Sequence, residues 1–66
     1  MRSPQRVWEV CSKLAGLWSR VPDLRLMQLI TNFQEYNASD MFYLEDDEFL
    51  ERLESYINDI TWDDRL

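Results

Sequence analysis

The apolar residues of this 66-residue chain recur at helical spacing in three segments, which two breaks separate. The first break is Pro22, because the residue before a proline is pushed out of helical geometry. The second break is Asn37-Ala38-Ser39-Asp40, a run of polar and small residues at which the periodicity stops. The pattern predicts an all-α fold, a compact three-helix bundle with short connectors, built as one domain. We expect helices over residues 4–20, 23–36 and 45–60.

The first predicted helix carries an apolar stripe that is wider than a single helix contact needs. Val7, Cys11, Leu14, Trp18 and Val21 form its centre, and apolar neighbours on both sides widen it to an arc of about 180°. Such a helix either contacts two other helices or leaves part of the stripe for a partner. Because Cys11 lies inside the stripe, we expect a buried structural thiol. A chain this short buries only about 60% of its unfolded surface, so a homodimer along this stripe is also expected.

The other two helices and the segment between them complete the predicted core. Asp23 is expected to cap the second helix, and the third is expected to begin at Glu45 or Asp46, where carboxylates complement the helix dipole. Residues 41–44 are apolar, and we interpret them as an extended linker whose aromatic rings close one end of the bundle, since a lone strand has no sheet to join. The predicted core contains Leu14, Trp18, Leu26, Ile30, Phe33, Phe42, Phe49, Leu53, Tyr56 and Ile57.

The composition excludes most catalytic chemistry. The chain has no histidine, one cysteine and one glycine. A histidine-based triad, the common zinc ligand sets, an internal disulfide and a glycine-rich phosphate loop are therefore excluded. We expect a protein that is not an enzyme and has no cofactor and no metal. Because no run of 18 apolar residues and no signal-peptide pattern is present, we also expect a cytoplasmic protein without a membrane segment.

Charge divides the chain into a mildly basic first part and a strongly acidic second part. The net charge is −6, and residues 40–66 hold ten acidic side chains against two basic ones. Since the acidic cluster lacks the spacing and the glycine turn of a calcium loop, we interpret it as a surface for a partner rather than for a metal. The tail 61–66 is expected to fray or be flexible. It contains Trp62, which is a further candidate because tryptophan is enriched at interface hot spots. The candidate partner-binding residues are Glu45, Asp46, Asp47, Glu51, Glu54 and Trp62.

Three interpretations of this acidic surface remain open. In the first, the surface provides solubility and complements the basic first part of the same chain. In the second, it binds another protein. In the third, it mimics a nucleic acid and occupies a basic groove of a DNA- or RNA-handling protein. Direct binding to nucleic acid is not expected, because acidic surfaces repel phosphate. The leading hypothesis is a non-enzymatic module that binds a basic or nucleic-acid-binding protein. The alternative is a nucleic-acid-mimicking inhibitor of a DNA- or RNA-handling protein, of the kind that phages encode.

One group of residues resembles a known family. The spacing resembles that of the YihD family of small bacterial proteins, and it also resembles that of very short bacterial and phage proteins. The resemblance covers roughly residues 18–53 and implies an all-helical fold, but no reaction. The residues that carry it are Trp18, Pro22-Asp23, Leu26, Gln28, Ile30, Phe33 and Leu44-Glu45-Asp46-Asp47.

Overall fold

The computed structural model describes residues 3–37 and 41–61, and these residues form an all-α three-helix bundle. Helix α1 spans Gln5–Trp18, α2 spans Leu26–Asn37 and α3 spans Asp46–Thr61. The predicted fold class is therefore confirmed, and each predicted helix overlaps the observed one. The largest difference is at the start of α2, which begins three residues later than expected.

The connector between α1 and α2 is held by a tryptophan side chain. After α1 ends, the backbone N–H of Val21 donates to the carbonyl of Trp18 over 2.9 Å, so the chain tightens into a turn before Pro22. The indole N–H of Trp18 then donates to the carbonyl of Leu24 over 2.7 Å. This hydrogen bond ties the end of α1 to the approach to α2.

The predicted cap of α2 is wrong, because Asp23 lies in the connector rather than next to the helix. The carbonyl of Arg25 accepts the first intrahelical bond, from the N–H of Leu29 over 2.9 Å. The backbone N–H of Arg25 in turn donates to the side-chain oxygen of Gln28 over 2.8 Å. This is one half of a capping box, with glutamine reaching back from the third helical position.

Helix α3 lies against both α1 and α2. Its contact with α1 is the more extensive of the two. The two helices are parallel, because Arg6 pairs with Asp46 at their N-terminal ends and Arg20 bonds to Asn58 near their C-terminal ends. The acidic residues in the first turn of α3 complement the dipole of that helix.

The core is small and centres on α2 and α3. Aromatic rings contribute much of it: Phe33 lies edge-on to Phe49 with ring centroids 5.6 Å apart and lies 6.0 Å from the ring of Tyr56. Leu14 and Trp18 of α1 pack against this cluster and are half-buried. Among residues 3–37 and 41–61, those that are buried are Leu29, Phe33, Leu50, Leu53, Tyr56 and Ile57.

Phe42 does not belong to the core, and its predicted role in closing the bundle is wrong. The side chains of Phe42 and Tyr43 are 82% and 84% exposed, and their rings pack edge-on against each other. A turn explains this arrangement, because the N–H of Leu44 donates to the carbonyl of Met41 over 3.1 Å. The turn directs its two central residues outward, whereas Met41 packs against the core.

Two further residues of the predicted interior are exposed, namely Leu26 and Cys11. Leu26 is the first residue of α2, where no neighbouring turn of the same helix precedes it. Cys11 is exposed because α1 packs mainly against one helix rather than between two, so half of its wide stripe stays outside. No residue of α1 is fully buried.

Candidate functional site: the acidic face of α3 and the groove beside α1

Three of the predicted partner-binding residues form a row on α3. Asp47, Glu51 and Glu54 are separated by four and three residues, which places them on one face of a helix. All three side chains are exposed. We call this row the acidic face.

The acidic face borders a groove between the parallel helices α1 and α3. The groove consists of two adjoining depressions of about 460 and 300 Å³, which share Lys13 and Leu50. Val10 lines the first depression and Leu17 lines the second, so apolar side chains from both helices contribute to the groove. Of the predicted residues, Glu45, Asp46 and Asp47 line the first depression, and Glu51 and Glu54 line the second.

Part of the acidic charge is used within the molecule. Asp46 is half-buried and accepts a hydrogen bond from the guanidinium of Arg6. The side chain of Glu48 accepts one from Arg52 over 2.6 Å, one turn further along α3. Ion pairs as exposed as these contribute roughly 0.2–1 kcal/mol each to stability.

Basic residues of α1 and of the connector that follows it lie beside α3 along its length. Arg6 lies at one end and Arg20 at the other, where its guanidinium donates to the side-chain oxygen of Asn58 over 2.6 Å. Between them, Lys13 lines the same depression as Glu51 and Glu54. Between the two parts of the chain, one ion pair is therefore seen among the described residues, Arg6–Asp46, and the acidic face remains exposed.

Two tyrosines have a perturbed pKa, Tyr36 on α2 and Tyr56 on α3. The hydroxyl of Tyr36 donates to the carboxylate of Asp59, and this bond, together with some desolvation, raises the pKa of Tyr36. Burial, followed by the nearby charge of Glu35, raises the pKa of Tyr56. Both shifts favour the neutral phenol, so neither tyrosine is poised as a base near neutral pH.

No cluster suited to metal binding occurs in residues 3–37 and 41–61: these residues contain no group of three or more His, Cys, Asp or Glu side chains that could hold an ion. Trp62, the remaining predicted partner-binding residue, lies outside the described residues. Within the described part of the chain, no helix has both the length and the hydropathy needed to cross a bilayer.

An exposed apolar surface on α1 was not among the predicted site residues. Val7 and Trp8 are 52% and 70% exposed, and Cys11 and Ala15 follow one and two turns later, also exposed. The excessive width of the apolar stripe is the sequence signal that points to this surface. The stripe alone does not say which edge α3 covers.

Comparison with protein-family models, with curated proteins and with solved structures finds no match for this chain. The resemblance to the YihD family stays a prediction.

Proposed function

We propose that this chain is a non-enzymatic protein-interaction module and that the acidic face, with the groove beside it, binds a basic segment of another protein. The observation that carries the proposal is the position of Asp47, Glu51 and Glu54, exposed in one row along a groove that Leu17 and Leu50 help to line. Carboxylates beside an apolar surface suit a partner that has both cationic and apolar side chains.

An amphipathic basic helix is the partner structure that fits best. The groove runs between two parallel helices, and a third helix laid into such a groove buries its apolar face there while its charged residues stay at the edge. Acidic rows of this kind also raise the rate of encounter with basic partners at low salt. A cytoplasmic location belongs to the same proposal.

The alternative is a nucleic-acid mimic, which would present carboxylates in place of phosphates to a basic groove. The mixed character of this groove favours a protein segment instead, since Lys13 and apolar side chains line it together with Glu51 and Glu54. A mimic relies almost entirely on charge, so its affinity falls steeply between about 50 and 200 mM salt and duplex DNA competes with it.

The test is affinity capture with a matched pair of charge-reversed baits. E51K/E54K reverses two residues of the acidic face. D23K/E35K reverses two exposed acidic residues elsewhere and changes the net charge by the same amount. We expect a specific set of proteins to be captured by the wild type and by D23K/E35K and lost with E51K/E54K, and we expect the interacting segment to be a basic helix.

Two outcomes contradict the proposal. If both variants lose captured proteins equally, only net charge matters and the acidic face has no special role. If duplex DNA displaces the captured proteins and binding disappears at moderate salt, mimicry is the better description. Circular dichroism of each bait establishes that the variants remain helical.

A further inference from the structure

The second depression of the groove carries opposite charges on its two walls. Glu51 and Glu54 lie on the wall that α3 forms, and Lys13 lies on the wall that α1 forms. Leu17 and Leu50 contribute apolar surface from the same two helices. The acidic face is therefore one of two charged edges of this depression, and the opposite edge presents an ammonium group.

Lys13 lies level with the two carboxylates along the helix axes. The bonds that Arg6 and Arg20 make to α3 join residues 40 and 38 positions apart in the sequence. Because α1 and α3 are parallel, this offset places Lys13 opposite residues 51–54. A ligand in the depression therefore meets the ammonium group on one side and the carboxylates on the other, at the same level.

The charge of Lys13 is available to a ligand. Its side chain is exposed, and no ion pair or hydrogen bond joins it to any other residue in 3–37 and 41–61, although Glu9 precedes it by one turn. The other two basic residues beside α3 each bond to a side chain of that helix. Of these three basic residues, Lys13 is thus the one that a partner can pair with.

We propose that Lys13 determines which basic helices the groove accepts. It selects an amphipathic helix that carries basic residues along the edge facing α3 and a carboxylate on the edge facing α1. The two edges that flank the apolar face of a helix are separate rows of residues, so one edge is free to be basic while the other is acidic. The inference rests on the proposed function, because it concerns the same groove and the same class of partner.

The same arrangement rejects a uniformly basic helix. The edge of such a helix that faces α1 brings a like charge to Lys13, and like charges placed together across an interface suppress binding to the wrong partner. The net charge of −6 attracts any basic partner from a distance. Lys13 supplies the discrimination between these partners at close range.

Two synthetic helical peptides test the selection. They share a leucine face and a row of lysines on one edge, and they differ at one central position of the other edge, which is glutamate in the mixed peptide and lysine in the basic peptide. Fluorescence anisotropy of the labelled peptides at about 0.1 M salt gives the ratio of their dissociation constants for each protein. We expect K13E to shift this ratio toward the basic peptide at least about threefold more than R25E does.

R25E is the control for net charge. It makes the same change of charge at an exposed residue of the connector between α1 and α2, which does not line the groove. Lys13→Gln removes the charge without reversing it, so it is expected to shift the ratio in the same direction by a smaller factor. Circular dichroism establishes that each variant remains helical.

Failure of this inference is distinguishable from failure of the proposed function. If neither peptide binds the wild type, or if E51K/E54K binds both peptides as tightly as the wild type does, the proposed function is wrong and selection by Lys13 is wrong with it. If both peptides bind the wild type and E51K/E54K loses them, but K13E shifts the ratio no more than R25E, the groove binds basic helices and Lys13 does not select among them.

Discussion

Leu53 offers the sharpest test of where the core lies. Its side chain is completely buried in the central cluster. Leu53→Ala removes three carbon groups, and at about 0.8 kcal/mol for each buried group the transfer term alone is about 2.4 kcal/mol. The cavity left behind adds to this loss, so we expect a decrease in the free energy of unfolding of about 3–4 kcal/mol. A domain of 66 residues has roughly 3–10 kcal/mol in total.

Leu26→Ala is the matched control, because it removes the same atoms from a side chain that is 38% exposed. Its expected cost is about 1.5 kcal/mol, since only the buried fraction contributes and no closed cavity forms. Urea unfolding followed by circular dichroism measures both variants at one protein concentration. The reasoning is refuted if the two variants lose the same stability within a few tenths of a kcal/mol.

Three other changes test separate features of the fold. Trp18→Phe keeps an aromatic ring but removes the donor to the Leu24 carbonyl, so the free energy of unfolding should fall by about 0.5–1.5 kcal/mol in urea unfolding; no loss contradicts a role for this bond. Gly16→Ala should raise the thermal midpoint, with a gain of about 0.5–1 kcal/mol, because a Cβ at this helical position meets nothing within 4 Å; a lower midpoint contradicts the open space. The hydrogen bond to Asp59 raises the pKa of Tyr36, so the folded state holds the phenol proton more tightly than the unfolded state. The resulting contribution to stability is fully present below pH 10 and is lost as the pH rises through the pKa of Tyr36 in the folded protein. Ultraviolet titration should show a phenol ionising above pH 10 that disappears in Tyr36→Phe, and an unchanged titration curve contradicts the assignment.

The helices were predictable because their signals are local. The periodic apolar residues of α3 and the break at Pro22 depend on neighbours within a turn or two of the chain, and the structure confirms both. The cap of α2 was not predictable in the same way. Asp23 has the right chemistry for a cap, but the Trp18–Leu24 hydrogen bond shapes the connector, and Gln28 serves the helix start instead.

Charge and spacing were enough to find the acidic residues of the candidate site. They were not enough to tell which of these residues are paired within the molecule and which are exposed. Asp47, Glu51 and Glu54 share a face because helical spacing requires it. Only the packing of α1 alongside α3 brings Arg6 to Asp46 and leaves the other carboxylates at the edge of a groove. No property of the sequence around Asp46 distinguishes it from Asp47.

The sequence by itself determined the class of the fold, the approximate bounds of three helices and the concentration of negative charge on the last of them. These features follow from interactions between residues that are close along the chain. Tertiary structure decided which side of the broad apolar stripe on α1 is covered, that Phe42 and Cys11 lie outside the core, and that a groove forms beside the acidic face. The physical reason is that the apolar stripe of α1 is wide enough to contact two helices, but α1 packs mainly against α3. Which helix it packs against depends on contacts between residues about forty positions apart in the sequence, such as Arg6 and Asp46.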